Sequence, residues 1–187
     1  MVAPARFAFA IAVLALPTLS AAAANTVRSE AAGLRFSVPA RWVRVPGTET
    51  ERAAQWRLPR AGGDAHDAEL VLYFFGKGMR RSADESVARW QAAFFQPDGR
   101  ASRDASTVTV RTVRGLRVTS LDVAGTYKPG PTRDGPMPPP RRGQRMLAAA
   151  IEGDDGPWFF EAIGPAATIA ATKPAFDEML DSLAPHR

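Results

Sequence analysis

The sequence predicts an α+β fold in a single domain, and three observations carry that prediction. Two pairs of alternating apolar and polar runs, 107–113 with 116–127 and 145–152 with 158–163, are each joined by a short turn and read as antiparallel β-hairpins. Two other stretches, 83–96 and 174–183, place apolar residues at helical spacing. The chain has 187 residues, and the length left after removal of a leader suits one domain rather than two.

The leader comes first. Arg6 precedes an unbroken apolar run at 7–16, followed by Pro17, Ser20 and the alanines of 21–24. A basic end, a short apolar centre and small residues at the cut make a signal-peptidase substrate, with cleavage expected after Ala24. The run falls short of the roughly 20 apolar residues that a spanning helix needs. The expected product is a mature chain from residue 25, periplasmic or secreted, with no stable membrane insertion. Cysteine is absent, which excludes disulfides, thiolate chemistry and lipid attachment by the lipoprotein route. Stability must then come from a core.

After a polar start, residues 34–38 alternate, stop at Pro39 and resume at Trp42 and Val45 before Pro46-Gly47. This reads as a short half-buried strand and its turn. Residues 54–58 form a second strand stopped by Pro59, and 60–67 a polar loop. The run 68–75 is almost wholly apolar after Glu69, which suits a strand in the middle of the sheet. Ser82 with Glu85 three residues on is a capping box, and Ala83, Val87, Trp90 and Phe94 follow at helical spacing, predicting a helix from 83 to about 96. Trp90 and Phe94 read as core wedges against the sheet. The first hairpin turns at Arg114-Gly115 and the second through 153–157. Pro174 reads as the first residue of a C-terminal helix carrying Phe176, Met179, Leu180 and Leu183 on one face. Between the hairpins, residues 128–143 hold six prolines, three glycines, four basic residues and almost nothing apolar, the composition of a mobile loop.

Several local patterns together resemble a group of uncharacterised exported bacterial proteins with the PsbP-like α/β/α fold. They are Phe36-x-x-Pro39-x-x-Trp42, Phe75-Gly76-x-Gly78, Arg89-Trp90-x-x-x-Phe94, Gly125-x-Tyr127, Gly156-Pro157-x-Phe159-Phe160, Gly164-Pro165 and Phe176-x-x-Met179-Leu180-x-Ser182-Leu183. That group often has paired glycines before the helix and an asparagine before the Arg-Trp pair, where this chain has Gly78-Met79 and Ser86. The resemblance implies a twisted antiparallel sheet flanked by helices on both faces, and accessory binding proteins rather than enzymes. These patterns are core and turn residues, so they carry no chemistry.

Candidate chemistry is sparse. His66 lies near Asp64, Asp67 and Glu69, but with His186 as the second histidine and no cysteine the chain lacks the usual zinc ligand set. A G-x-S-x-G elbow is missing, and His66 would have to serve as the base of any serine hydrolase. Asp154-Asp155 lacks the spaced carboxylates of a calcium loop and reads as a hairpin turn. No catalytic residue, metal or cofactor is therefore expected.

Two binding surfaces remain. Lys77, Arg80 and Arg81 sit in the strand-to-helix connection 76–85, where exposed amides favour an anion or a small molecule. Tyr127, Lys128, Arg133, Arg141 and Arg142 lie on the proline-rich loop. The formal net charge is +5, but residues 128–145 hold 5 basic groups against 1 acidic, while 146–187 hold 2 against 7. Such a patch suits an acidic protein or envelope component, and export disfavours nucleic acid. The leading expectation is an exported, non-enzymatic accessory protein that binds a partner through this loop. Anion or small-molecule binding at 76–85 stands second and a hydrolase third.

Overall fold

A computed structural model describes residues 25–46, 52–76, 78–79, 81–130 and 135–186. The expected leader at 1–24 lies outside them, as do Lys77, Arg80 and Arg133. Among the described residues no helix is long and apolar enough to cross a membrane.

Among the described residues the largest unit is one antiparallel sheet of eight strands. Its strands are β3 (Val43–Val45), β4 (Arg52–Leu58), β5 (Ala68–Phe74), β6 (Phe94–Phe95), β7 (Ser106–Val113), β8 (Leu116–Tyr127), β9 (Arg141–Glu152) and β10 (Trp158–Pro165). The order across the sheet is β3-β4-β5-β10-β9-β8-β6, and β7 shares the outer edge of β8 with β6. Both expected hairpins form. Ser106 pairs with Val123 through to Val113 with Leu116, and Trp158 pairs with Ile151 through to Pro165 with Gln144. The first turn works because Arg114 and Gly115 both take positive φ, 47° and 84°, the backbone of a tight two-residue hairpin.

The middle strand of the sheet is β10, flanked by β5 on one side and β9 on the other. β5 is interior, but Glu69, Tyr73 and Phe74 stay half-buried, whereas Met146, Leu147, Ala148, Ala149, Ala150 and Ile151 are all buried. Small alanines let both faces of β9 be covered closely, and small side chains send little hydrophobic signal.

The side chains of β9 divide between two apolar clusters. Leu147, Ala149 and Ile151 pack with Ile169, Phe176, Met179 and Leu180 of helix α2 (Ala166–Asp181). Met146, Ala148 and Ala150 pack with Ala83, Val87 and Trp90 of helix α1 (Ala83–Ala92). The first cluster also takes Leu34, Phe36 and Val38 from a three-stranded sheet of β1 (Thr26–Ala31), β2 (Leu34–Pro39) and β11 (Ala184–Pro185), ordered β1-β2-β11. Phe36 meets Trp56 and Phe160 edge-on, with ring centroids 5.6 and 5.1 Å away. Such pairs add about 0.5–1.5 kcal/mol each beyond their burial. β1 escapes sequence reading because its side chains are mostly exposed and polar.

Both helices depart from their expected limits. In α1 the capping box is as expected: the Glu85 amide donates to Ser82 Oγ at 3.1 Å and the Ser82 amide to Glu85 Oε2 at 2.9 Å. The helix closes at Ala93, so Phe94 is a buried strand residue rather than part of the helix. α2 starts eight residues before Pro174, which lies inside it. The first turn is held from outside, since Asp64 Oδ2 accepts from the Thr168 amide at 2.8 Å and from its hydroxyl. That distant cap, with Ile169 in the core, lets helix form ahead of the proline.

Candidate functional site

The end of β8 meets the start of β9 at a deliberate irregularity. The register slips between Gly125 and Tyr127, and Gly125 has a φ of +151°. A Cβ at Gly125 would stand 2.6 Å from the Phe95 carbonyl oxygen, so only glycine admits the segment at 94–96 this closely. Gln96 Nε2 secures that segment by donating to the Ala124 carbonyl at 2.9 Å, and Ser102 Oγ by donating to the Phe94 carbonyl at 2.7 Å. The Lys128 amide then donates to the Ala93 carbonyl at 2.8 Å, fixing where the proline-rich segment leaves the body.

This brings aromatic rings beside cations. Arg141, paired with Tyr127 across the strands, lies with its guanidinium 5.6 Å from the Tyr127 ring centroid. The Lys128 ammonium lies 5.9 Å from the ring of Phe95, which is 51% exposed. Beneath them Phe94 packs on Tyr127 at 5.3 Å. Burial, and next the Glu161 carboxylate, push the Tyr127 phenol above its ordinary pKa of 10.0. Alongside runs a groove of 460 Å³ lined by Pro97, Gly125, Thr126, Arg142 and Gly143. An exposed cation on a ring gains only about 0.5–1 kcal/mol, so the rings position these charges without neutralising them. Among the described residues no carboxylate pairs with Lys128, Arg141 or Arg142, whereas Arg89, Arg117 and Arg145 each reach one.

Of the residues expected on the loop, Tyr127, Lys128, Arg141 and Arg142 come together here. Arg141, Arg142 and Gly143 belong to β9, so the sheet takes in the last three residues of the stretch expected as a loop. Tyr127 pairs with Arg141 across the strands, which a run without apolar residues cannot signal. Phe95 was not anticipated. Phe94 and Phe95 both fall in the stretch whose spacing predicts helix, so the strand they form gives no signal of its own.

Of the second expected set, Arg81 is described. It lines a cavity of 160 Å³ with Tyr73, Phe75, Arg89, Phe159 and Glu161. Glu161 Oε1 accepts from Arg89 Nη2 at 2.9 Å and from Trp90 Nε1 at 2.6 Å. Burial above all, then Glu161, pushes the Tyr73 phenol up to about 12. The one available sequence signal for this cavity was Glu161 itself, an acid inside the apolar run of β10.

The carboxylates around His66 are drawn apart. Asp64 caps α2, Asp67 Oδ1 accepts from the Arg60 amide at 2.9 Å, Glu69 pairs with Arg52 at 2.8 Å, and His66 is exposed. His186 Nδ1 lies 3.0 Å from Glu30 Oε1. Asp154 and Asp155 sit in the β9–β10 turn and line a cavity of 330 Å³ with Arg114 and His186.

Comparison with known proteins identifies the architecture. The solution structure of the cyanobacterial PsbP protein (CyanoP) from Synechocystis sp. PCC 6803 is similar to this chain with a TM-score of 0.50 and 14% identity. The match covers 92% of this chain and 98% of that one, so the fold is PsbP-like throughout. No protein-family model matches the chain, and no curated protein matches it in sequence.

Proposed function

We propose that this is an exported, non-enzymatic accessory protein that binds an acidic partner, a protein or another envelope component, along the groove where β8 meets β9. The observation that carries this reading is the set of cations at that point. Lys128, Arg141 and Arg142 have no carboxylate partner among the described residues, and two of them rest on the rings of Phe95 and Tyr127. Charges already placed, beside a proline-rich segment that loses little entropy on ordering, favour carboxylates or phosphates presented by a partner. The basic end and apolar run of 1–24 support export. This reading takes the chain as an α/β/α sandwich with α1 and α2 on opposite faces, which the division of the β9 side chains supports.

The test is crosslinked capture by the tagged mature chain, beginning at Asn25, from material released by osmotic shock. Replacing 129–140 with a short glycine-rich turn weakens capture, since Lys128, Arg141 and Arg142 remain, and leaves the melting curve in place. Arg141→Glu with Arg142→Glu weakens capture more in low salt than in high salt, because exposed charges are screened. Undiminished capture by the shortened protein would reduce the segment to a spacer between two strands.

A further inference from the structure

A second cavity lies beside the first turn of α1. Tyr73 and Phe75 lie two residues apart where β5 ends, so both rings stand on the same side of the chain. They are parallel to within 5°, with centroids 6.2 Å apart. Phe159 of the neighbouring strand meets Phe75 at 61° and 6.2 Å. Phe159 is buried and Phe75 is 38% exposed, so the 160 Å³ cavity has an apolar side, with Arg81, Arg89 and Glu161 completing its lining. An apolar cavity of about 150 Å³ holds one benzene, whereas drug-sized ligands occupy about 300 Å³ or more. The space therefore fits a single six-membered ring.

The polar groups select the ring's substituent. The Glu161 charge is already opposed by Arg89 and by the indole N–H of Trp90. Arg81 lines the same cavity with no carboxylate partner among the described residues, leaving the lining with one net positive charge. Tyr73 lines the cavity as well, and its phenol can donate.

We propose that this cavity binds a small aromatic carboxylate, its ring seated among Tyr73, Phe75 and Phe159 and its carboxylate held by Arg81 and the Tyr73 hydroxyl. The site is separate from the groove at Gly125 and stands or falls independently of partner binding there.

The test titrates the mature protein with benzoate, its neutral analogue benzamide and its cationic analogue benzylammonium. The readout is the indole N–H resonance of Trp90, assigned with Trp90→Phe. Benzoate saturates in about the millimolar range, as expected for nine heavy atoms, and binds more tightly than either analogue. Arg81→Gln weakens benzoate about tenfold, the loss of one charge-assisted hydrogen bond, and leaves benzamide unchanged. Phe75→Ala weakens both. Neither side chain is part of the buried core, and unchanged circular dichroism confirms the fold of each variant. Benzoate that fails to saturate, benzylammonium binding as tightly as benzoate, or Arg81→Gln binding like the parent overturns the proposal.

Discussion

Trp90 couples helix α1 to the sheet in two separable ways, and its substitution measures both. The side chain is 1% exposed, packs edge-on against Phe159 at 6.4 Å, and donates from Nε1 to Glu161 at 2.6 Å. Trp90→Ala removes the ring and leaves a void between helix and strand, a change that costs about 3–5 kcal/mol. A domain of this size is stable by about 5–15 kcal/mol, and each kcal/mol shifts the midpoint by about 2–4 °C. The expected drop is thus about 6–20 °C. Trp90→Phe keeps an aromatic ring but removes the donor, leaving Glu161 with Arg89 alone, and costs about 1–3 kcal/mol. Urea unfolding followed by far-ultraviolet circular dichroism gives both values without interference from the other tryptophans. If Trp90→Ala melts within a degree or two of the parent, α1 does not depend on this contact, and the core built around Phe159 is wrongly described.

Two further outcomes follow from the same geometry. Gly125→Ala forces a Cβ to within 2.6 Å of the Phe95 carbonyl at a φ that side chains rarely adopt. It lowers the midpoint and weakens partner capture even with every cation of the groove retained. The chain has 2 tyrosines, and both phenols are held above the ordinary value of 10.0. Their near-ultraviolet phenolate absorbance therefore stays low at pH 10 and rises for Tyr73 only near 12, whereas the urea-unfolded chain titrates near 10. The folded state holds the phenolic proton more tightly, so this contribution is complete below pH 10 and is lost as pH rises through the folded value. A native titration that overlays the unfolded one would remove the Tyr73 hydroxyl as a permanent donor.

Local chemistry made parts of this fold legible. Ser82 and Glu85 name a helix start because the capping box closes within one turn, and Arg114-Gly115 names a hairpin because two residues decide the backbone there. Features decided at a distance were not legible. α2 runs through Pro174 because Asp64, more than a hundred residues earlier, holds its first turn. Arg141 joins a strand with Tyr127 opposite it. The candidate site was half legible: the sequence marks out the cations, but the ring of Phe95 becomes their neighbour through the close approach at Gly125, which no local pattern announces. The 160 Å³ cavity is assembled from two strands and the approach to a helix, and before folding it is visible only as an acid in an apolar run.

The three-stranded sheet ties the order of folding to the order of the chain. β2 takes its first neighbour across the tight turn at Ala32-Gly33, but its second edge pairs with Ala184 and Pro185, and Arg35 Nη2 reaches the Pro185 carbonyl at 3.0 Å over a separation of 150 residues. The first pairing closes a minimal loop. The second must await nearly the whole polypeptide, and such long-range closures set slow folding rates. During that interval the outer edge of β2, with Leu34 and Phe36 beside it, stands open to any strand that arrives first. Because synthesis runs from the N-terminus, this edge is present long before the strand that covers it.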